Sequence, residues 1–104
     1  MSATAAQGLR IDVRARRAWS GDEEVLLSAK EFDILVLLDE HPGAVVTRER
    51  LMDEVWDTNW FGSTRTLDAT IGRLRQKLED RGVGARIDTV RGVGFRMERD
   101  SPDA

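Results

Sequence analysis
The sequence predicts an α+β fold: a small N-terminal antiparallel sheet, three helices and a C-terminal β-hairpin, in the order βββ-ααα-ββ. Three observations carry this expectation. Leu9, Ile11 and Val13 alternate with Arg10 and Asp12, the period-2 mark of a half-buried strand. Leu67, Ile71, Leu74 and Leu78 recur at helical spacing and form one apolar stripe. Thr89-Val90-Arg91-Gly92-Val93-Gly94-Phe95-Arg96 reads as a hairpin with a basic, glycine-bent tip.

Residues 1–8 are expected to be a flexible leader, 9–99 the folded domain and 100–104 a flexible tail. After the first strand, Arg17-Ala18-Trp19 and Val25-Leu26-Leu27 read as two more, joined through a turn at Ser20-Gly21-Asp22-Glu23. Ser28 and Glu31 form a capping box that opens the first helix, with Phe32, Leu35, Val36 and Leu38 facing inward. His41-Pro42-Gly43 stops it. Thr47 is the N-cap of a second helix whose apolar face is Leu51, Met52, Val55 and Trp56. Residues 57–64 form a loop, and the third helix spans 65–78. Two strands, about 87–91 and 94–98, close the domain.

The third helix carries the functional signal. Opposite its apolar stripe lie Arg65, Ala69, Gly72, Arg73 and Gln76, with Thr66 and Lys77 on the flank. This face is cationic at its edges and nearly bare along its middle, so it can lie against a base-pair surface while long side chains reach outward. An amphipathic helix with basic residues outside is also the ordinary soluble pattern. Gly72 tips the balance, because an interior helical glycine costs roughly 1 kcal/mol relative to Ala, which close approach to a partner would offset. With the basic hairpin downstream, the pattern points to DNA.

Charge distribution agrees, although the 104-residue chain has a net charge of −3. Residues 1–64 carry seven Lys and Arg against twelve Asp and Glu, whereas residues 65–99 carry nine against five. An acidic front with a basic back orients a domain on a polyanion. There is no Cys, which excludes disulfides and thiolate metal sites and fits a reducing cytoplasm. The longest apolar run, residues 34–38, is far too short to cross a membrane, and the start lacks the pattern of a signal peptide. His41 stands without ligand or catalytic partners, and Asp39 with Glu40 reads as a solvated face. No catalytic residue, metal or other cofactor is expected.

In order along the chain, Leu27-Ser28-Ala29-Lys30-Glu31-Phe32, Pro42-Gly43, Arg48-Glu49-Arg50-Leu51 with Val55-Trp56, Arg65-Thr66-Leu67-Asp68, Arg73-Leu74-Arg75 and the hairpin sequence form a specific set. On these marks residues 9–97 resemble the C-terminal effector domain of OmpR/PhoB-class bacterial response regulators, a winged helix-turn-helix. The resemblance implies sequence-specific binding of double-stranded DNA for transcriptional regulation, as the output domain of a two-component response regulator. Residues 65–78 would enter the major groove, and the wing, 87–98, would lie on the minor groove and backbone.

By the same resemblance Arg65, Thr66, Arg73, Arg75, Thr89 and Arg91 match DNA-touching positions, with Trp56 near a phosphate. Arg75 lies closer to the apolar stripe and is equally a partner for Asp68 or Glu79. The class commonly has His at the position of Thr70 and a bulky polar or basic residue at that of Gly72. Fewer side chains would then enter the groove, so base readout rests on Arg73, with help from Ala69 and Thr66; Gly72 and Lys77 complete the expected surface. Asn59, Trp60 and Phe61 resemble a loop that meets RNA polymerase, although one of the two aromatics could instead cap the core.

A head-to-tail pair on direct repeats and a receiver domain are further implied partners. A receiver needs about a hundred more residues, so the chain is read either as an excised fragment or as a regulator without one. A winged-helix module for protein interaction is the alternative of a different class.

Overall fold
Three short strands open the structure: β1 (Leu9–Asp12), β2 (Arg17–Ser20) and β3 (Glu23–Val25), antiparallel and hydrogen-bonded in that order. The computed structural model describes residues 8–56, 65–82 and 84–99. The register sets Ile11 opposite Ala18 and Ala18 opposite Val25, so the inner face is apolar. β1 stops before Val13, because Asp12 Oδ1 accepts the Ala15 N–H at 3.0 Å and bends the chain into a turn. Val13, expected on the inner face, is 57% exposed. β3 likewise ends at Val25; Leu26 faces solvent as the chain turns into the first helix.

α1 (Ala29–Asp39) begins with the expected capping box: Ser28 Oγ accepts the Glu31 N–H, and Glu31 accepts the Ser28 N–H. Its burial is wider than the predicted stripe. Ile34 and Leu37 are buried, while Val36 is only half-buried. α2, α3 and β6 all pack on this helix, so it is enclosed rather than one-sided.

β4 (Val45–Thr47) follows, a strand the sequence reading did not include. Three residues are too few to show a period, and its partner lies about fifty residues away: Val46 pairs with Phe95. β5 (Ala85–Val90) and β6 (Gly94–Arg99) form the expected hairpin, and β4 completes a sheet in the order β4-β6-β5. Gly94 sits opposite Thr47, where a Cβ would collide with the Val46 carbonyl oxygen. A glycine is therefore required for β4 to dock.

α2 (Arg48–Val55) is capped by Thr47, whose hydroxyl accepts the Arg50 N–H. α3 (Arg65–Arg81) runs three residues beyond the predicted end and stops at Gly82, at φ 58°. All four stripe residues, Leu67, Ile71, Leu74 and Leu78, are buried. The expected α+β architecture thus holds, with three helices between an N-terminal sheet and a C-terminal sheet that contains the hairpin.

Candidate nucleic-acid interface
With the stripe of α3 turned inward, Arg65, Ala69, Gly72, Arg73 and Gln76 are exposed, as the helical period requires. Gly72 is not explained from within. A Cβ added there meets nothing within 4 Å, so the fold would accept Ala at lower conformational cost. Gln76 Nε2 bonds Asp80 one turn on, at 2.9 Å. Thr70 does not belong to this face: it is 2% exposed and donates its hydroxyl to the Thr66 carbonyl at 2.8 Å. Its identity therefore subtracts nothing from the projecting surface, contrary to the expectation. Thr66 itself is half-buried at the edge.

The two flanks of α3 are tied to different neighbours. On one flank Lys77 Nζ binds Glu31 Oε1 at 2.7 Å, and Arg73 Nε lies 3.5 Å from Glu31 Oε2. Glu31 is 1% exposed. Burial opposes its charge, yet Lys77 and the Ser28 N–H and hydroxyl together hold its pKa below the ordinary value. Lys77, expected to touch DNA, is thus committed to α1. Arg73 keeps most of its surface, its side chain being 61% exposed.

On the other flank Arg75 Nε donates to the Ile87 carbonyl at 2.9 Å, and Nη2 donates to Thr89 Oγ1 at 3.1 Å. Its partners are therefore neither Asp68 nor Glu79: Arg75 fastens α3 to β5. Asp68 instead takes both terminal nitrogens of Arg48, at 2.8 and 3.0 Å, and so raises the Arg48 pKa further. Arg48 also lies over the Phe95 ring, 5.6 Å from its centre, and its N–H donates to Val93 at the hairpin turn. This junction of α2, α3 and wing is not legible in the sequence, because α2, α3 and the wing contribute residues twenty or more positions apart.

At the wing tip the Val93 N–H closes on the Val90 carbonyl at 2.9 Å, with Gly92 at φ 75°. That backbone suits glycine and leaves Arg91 exposed, next to the exposed Thr89. Trp56, expected near a phosphate, is 7% exposed and belongs to the core, with Lys30 Nζ 5.6 Å from its ring centre. Asn59, Trp60 and Phe61 lie outside the described residues, as do the leader through residue 7 and the tail from residue 100. Among the described residues no group of three or more acidic or His side chains could hold a metal ion, and no helix is long and apolar enough to cross a membrane.

Residues 22–97 match the family described as transcriptional regulatory protein, C terminal. The chain is 42% identical to the transcriptional regulatory protein VxrB of Vibrio cholerae, over 86% of its own length and 35% of the relative's. It is 40% identical to the phosphate regulon transcriptional regulatory protein PhoB of Escherichia coli, over 88% of its length and 40% of that protein's. It therefore spans well under half of the curated relatives it matches. Among solved structures, the DNA-binding domain of the response regulator AdeR, in complex with an intercistronic region, superposes with a TM-score of 0.78. That match has 30% identity and covers 92% of this chain and 97% of the other.

Proposed function
Since the chain belongs to the OmpR/PhoB-type family of C-terminal domains of transcriptional regulators, we propose that it binds double-stranded DNA sequence-specifically to regulate transcription. α3 enters the major groove, and the wing lies on the adjacent minor groove and backbone. The observation that carries this reading is the outward strip of α3: Ala69 and Gly72 form a low surface edged by Arg65 and Arg73, and Gly72 has no reason within the fold. A helix so bare along its middle can approach base edges, while Arg73 reads guanine and Ala69 and Thr66 offer methyl groups to thymine. Arg91 and Thr89 serve phosphates from the wing. Arg75 holds helix and wing at a fixed spacing.

The AdeR domain is described in complex with DNA, which supports the same use of this fold here. By the same family likeness, the domain is the output part of a response regulator working in the cytoplasm. A receiver domain controls it, two copies bind head-to-tail on direct repeats, and residues 57–64 contact RNA polymerase. The domain has no catalytic role in this reading.

The test is a salt titration of binding to a duplex selected from a random pool and to mixed genomic DNA. A DNA-reading domain binds the selected duplex at least about a thousandfold more tightly, and both affinities fall steeply with salt. Absence of salt-dependent binding to either would leave a protein-interaction module instead.

A further inference from the structure
We propose that Glu31, on α1, is a positioning residue for base recognition: through its buried carboxylate, and with Thr70, it aims the Arg73 guanidinium at the groove. This rests on the DNA-binding reading above and concerns how its specificity is set. Arg73 has five N–H hydrogens in a rigid plane. Its Nε faces Glu31 Oε2 at 3.5 Å, and Nη2 donates to Thr70 Oγ1 at 3.3 Å. Those contacts occupy one edge of the plane. The remaining hydrogens of Nη2 and Nη1 form a second, parallel fork, the one that fits guanine O6 and N7.

The two anchors are themselves fixed. Glu31 is held by the Ser28 N–H at 2.9 Å and by Lys77 at 2.7 Å, both on Oε1, which leaves Oε2 facing Arg73. Thr70 is buried, and its hydroxyl proton is given to the Thr66 carbonyl, so its oxygen accepts from Arg73. A long side chain on an exposed helix face would otherwise sample many rotamers and lose them all on binding. Restraint from behind reduces that loss only for the arrangement in which the free fork points outward. Glu31 thus contributes to selectivity at one base pair without touching DNA.

The experiment is selection of duplexes from a random pool by the 104-residue chain and four variants: Arg73→Ala, Glu31→Gln, Thr70→Val and the Arg73→Ala/Glu31→Gln pair. The wild type is expected to show a guanine preference at one position that Arg73→Ala flattens. Glu31→Gln and Thr70→Val each lower that preference about tenfold, with the other positions and the salt slope unchanged. Glu31→Gln adds nothing in the Arg73→Ala background. An intact guanine preference in Glu31→Gln, an equal loss at every position, or a further loss on top of Arg73→Ala overturns the proposal. Should circular dichroism show Glu31→Gln unfolded, Thr70→Val decides on the same criterion. A wild-type chain that selects no sequence would instead sink the DNA reading itself.

Discussion
Glu31 illustrates how one residue serves several levels of this molecule. It caps its own helix, binds Lys77 and faces Arg73, so local structure, packing and the proposed interface meet at a carboxylate 1% exposed. Its folded-state pKa lies below the ordinary 4.5. A group with a depressed folded pKa contributes its full stability above the unfolded value and loses it as pH falls through the folded one. Glu31→Gln should therefore cost about 1.5–3 kcal/mol at neutral pH, the range for hydrogen bonds to a charged group. In urea unfolding at neutral pH and at about pH 3, the gap between wild type and variant should narrow in acid. A gap independent of pH would mean that the carboxylate's charge is immaterial. The capping role was legible in the sequence, since Ser28 and Glu31 stand three residues apart. The ion pairs were not, because Lys77 lies forty-six residues on and no spacing rule joins them.

At the scale of elements, the wing is a hairpin held to α3, α2 and β4 by three ties. Arg75 reaches Ile87 and Thr89, Arg48 bonds to Val93 and lies over Phe95, and Gly94 admits β4 beside β6. Its tip is thereby fastened to α3, with Arg91 exposed and paired with no described residue. Arg91→Ala should weaken binding on every sequence and lower the slope of log affinity against log salt by about 0.9 for each phosphate contact removed. An unchanged slope would take Arg91 off the DNA. The strong helical and strand periods here were readable: α2, α3 and the hairpin form where periodicity puts them, although α3 runs on to Arg81 and β5 starts at Ala85. β4 was not, being three residues long and defined by a partner far along the chain. The same limit explains Arg75 and Trp56. Their residue types suited DNA, but the packing of neighbouring elements turned the first onto β5 and buried the second.

For the whole molecule, the acidic and basic halves of the sequence interleave: Arg73 and Lys77 lie against Glu31, Arg81 against Glu23 and Arg99 against Asp39. The proposed head-to-tail pairing on direct repeats rests on the family likeness. Inserting about 5 base pairs between repeats spaced one helical turn apart rotates the second site to the opposite face of the duplex. Joint binding in a gel-shift titration should be lost while single-site binding persists; indifference to the insertion would exclude the arrangement. In the proposed complex the outward strip of α3 and the wing tip together meet DNA. The most direct measurement is a chemical-shift titration of the labelled domain with its selected duplex. The largest amide changes are expected at Arg65, Ala69, Gly72 and Arg73 and at Arg91 and Gly92, with β1, β2 and β3 unmoved. Changes centred on the N-terminal sheet, with α3 silent, would contradict it.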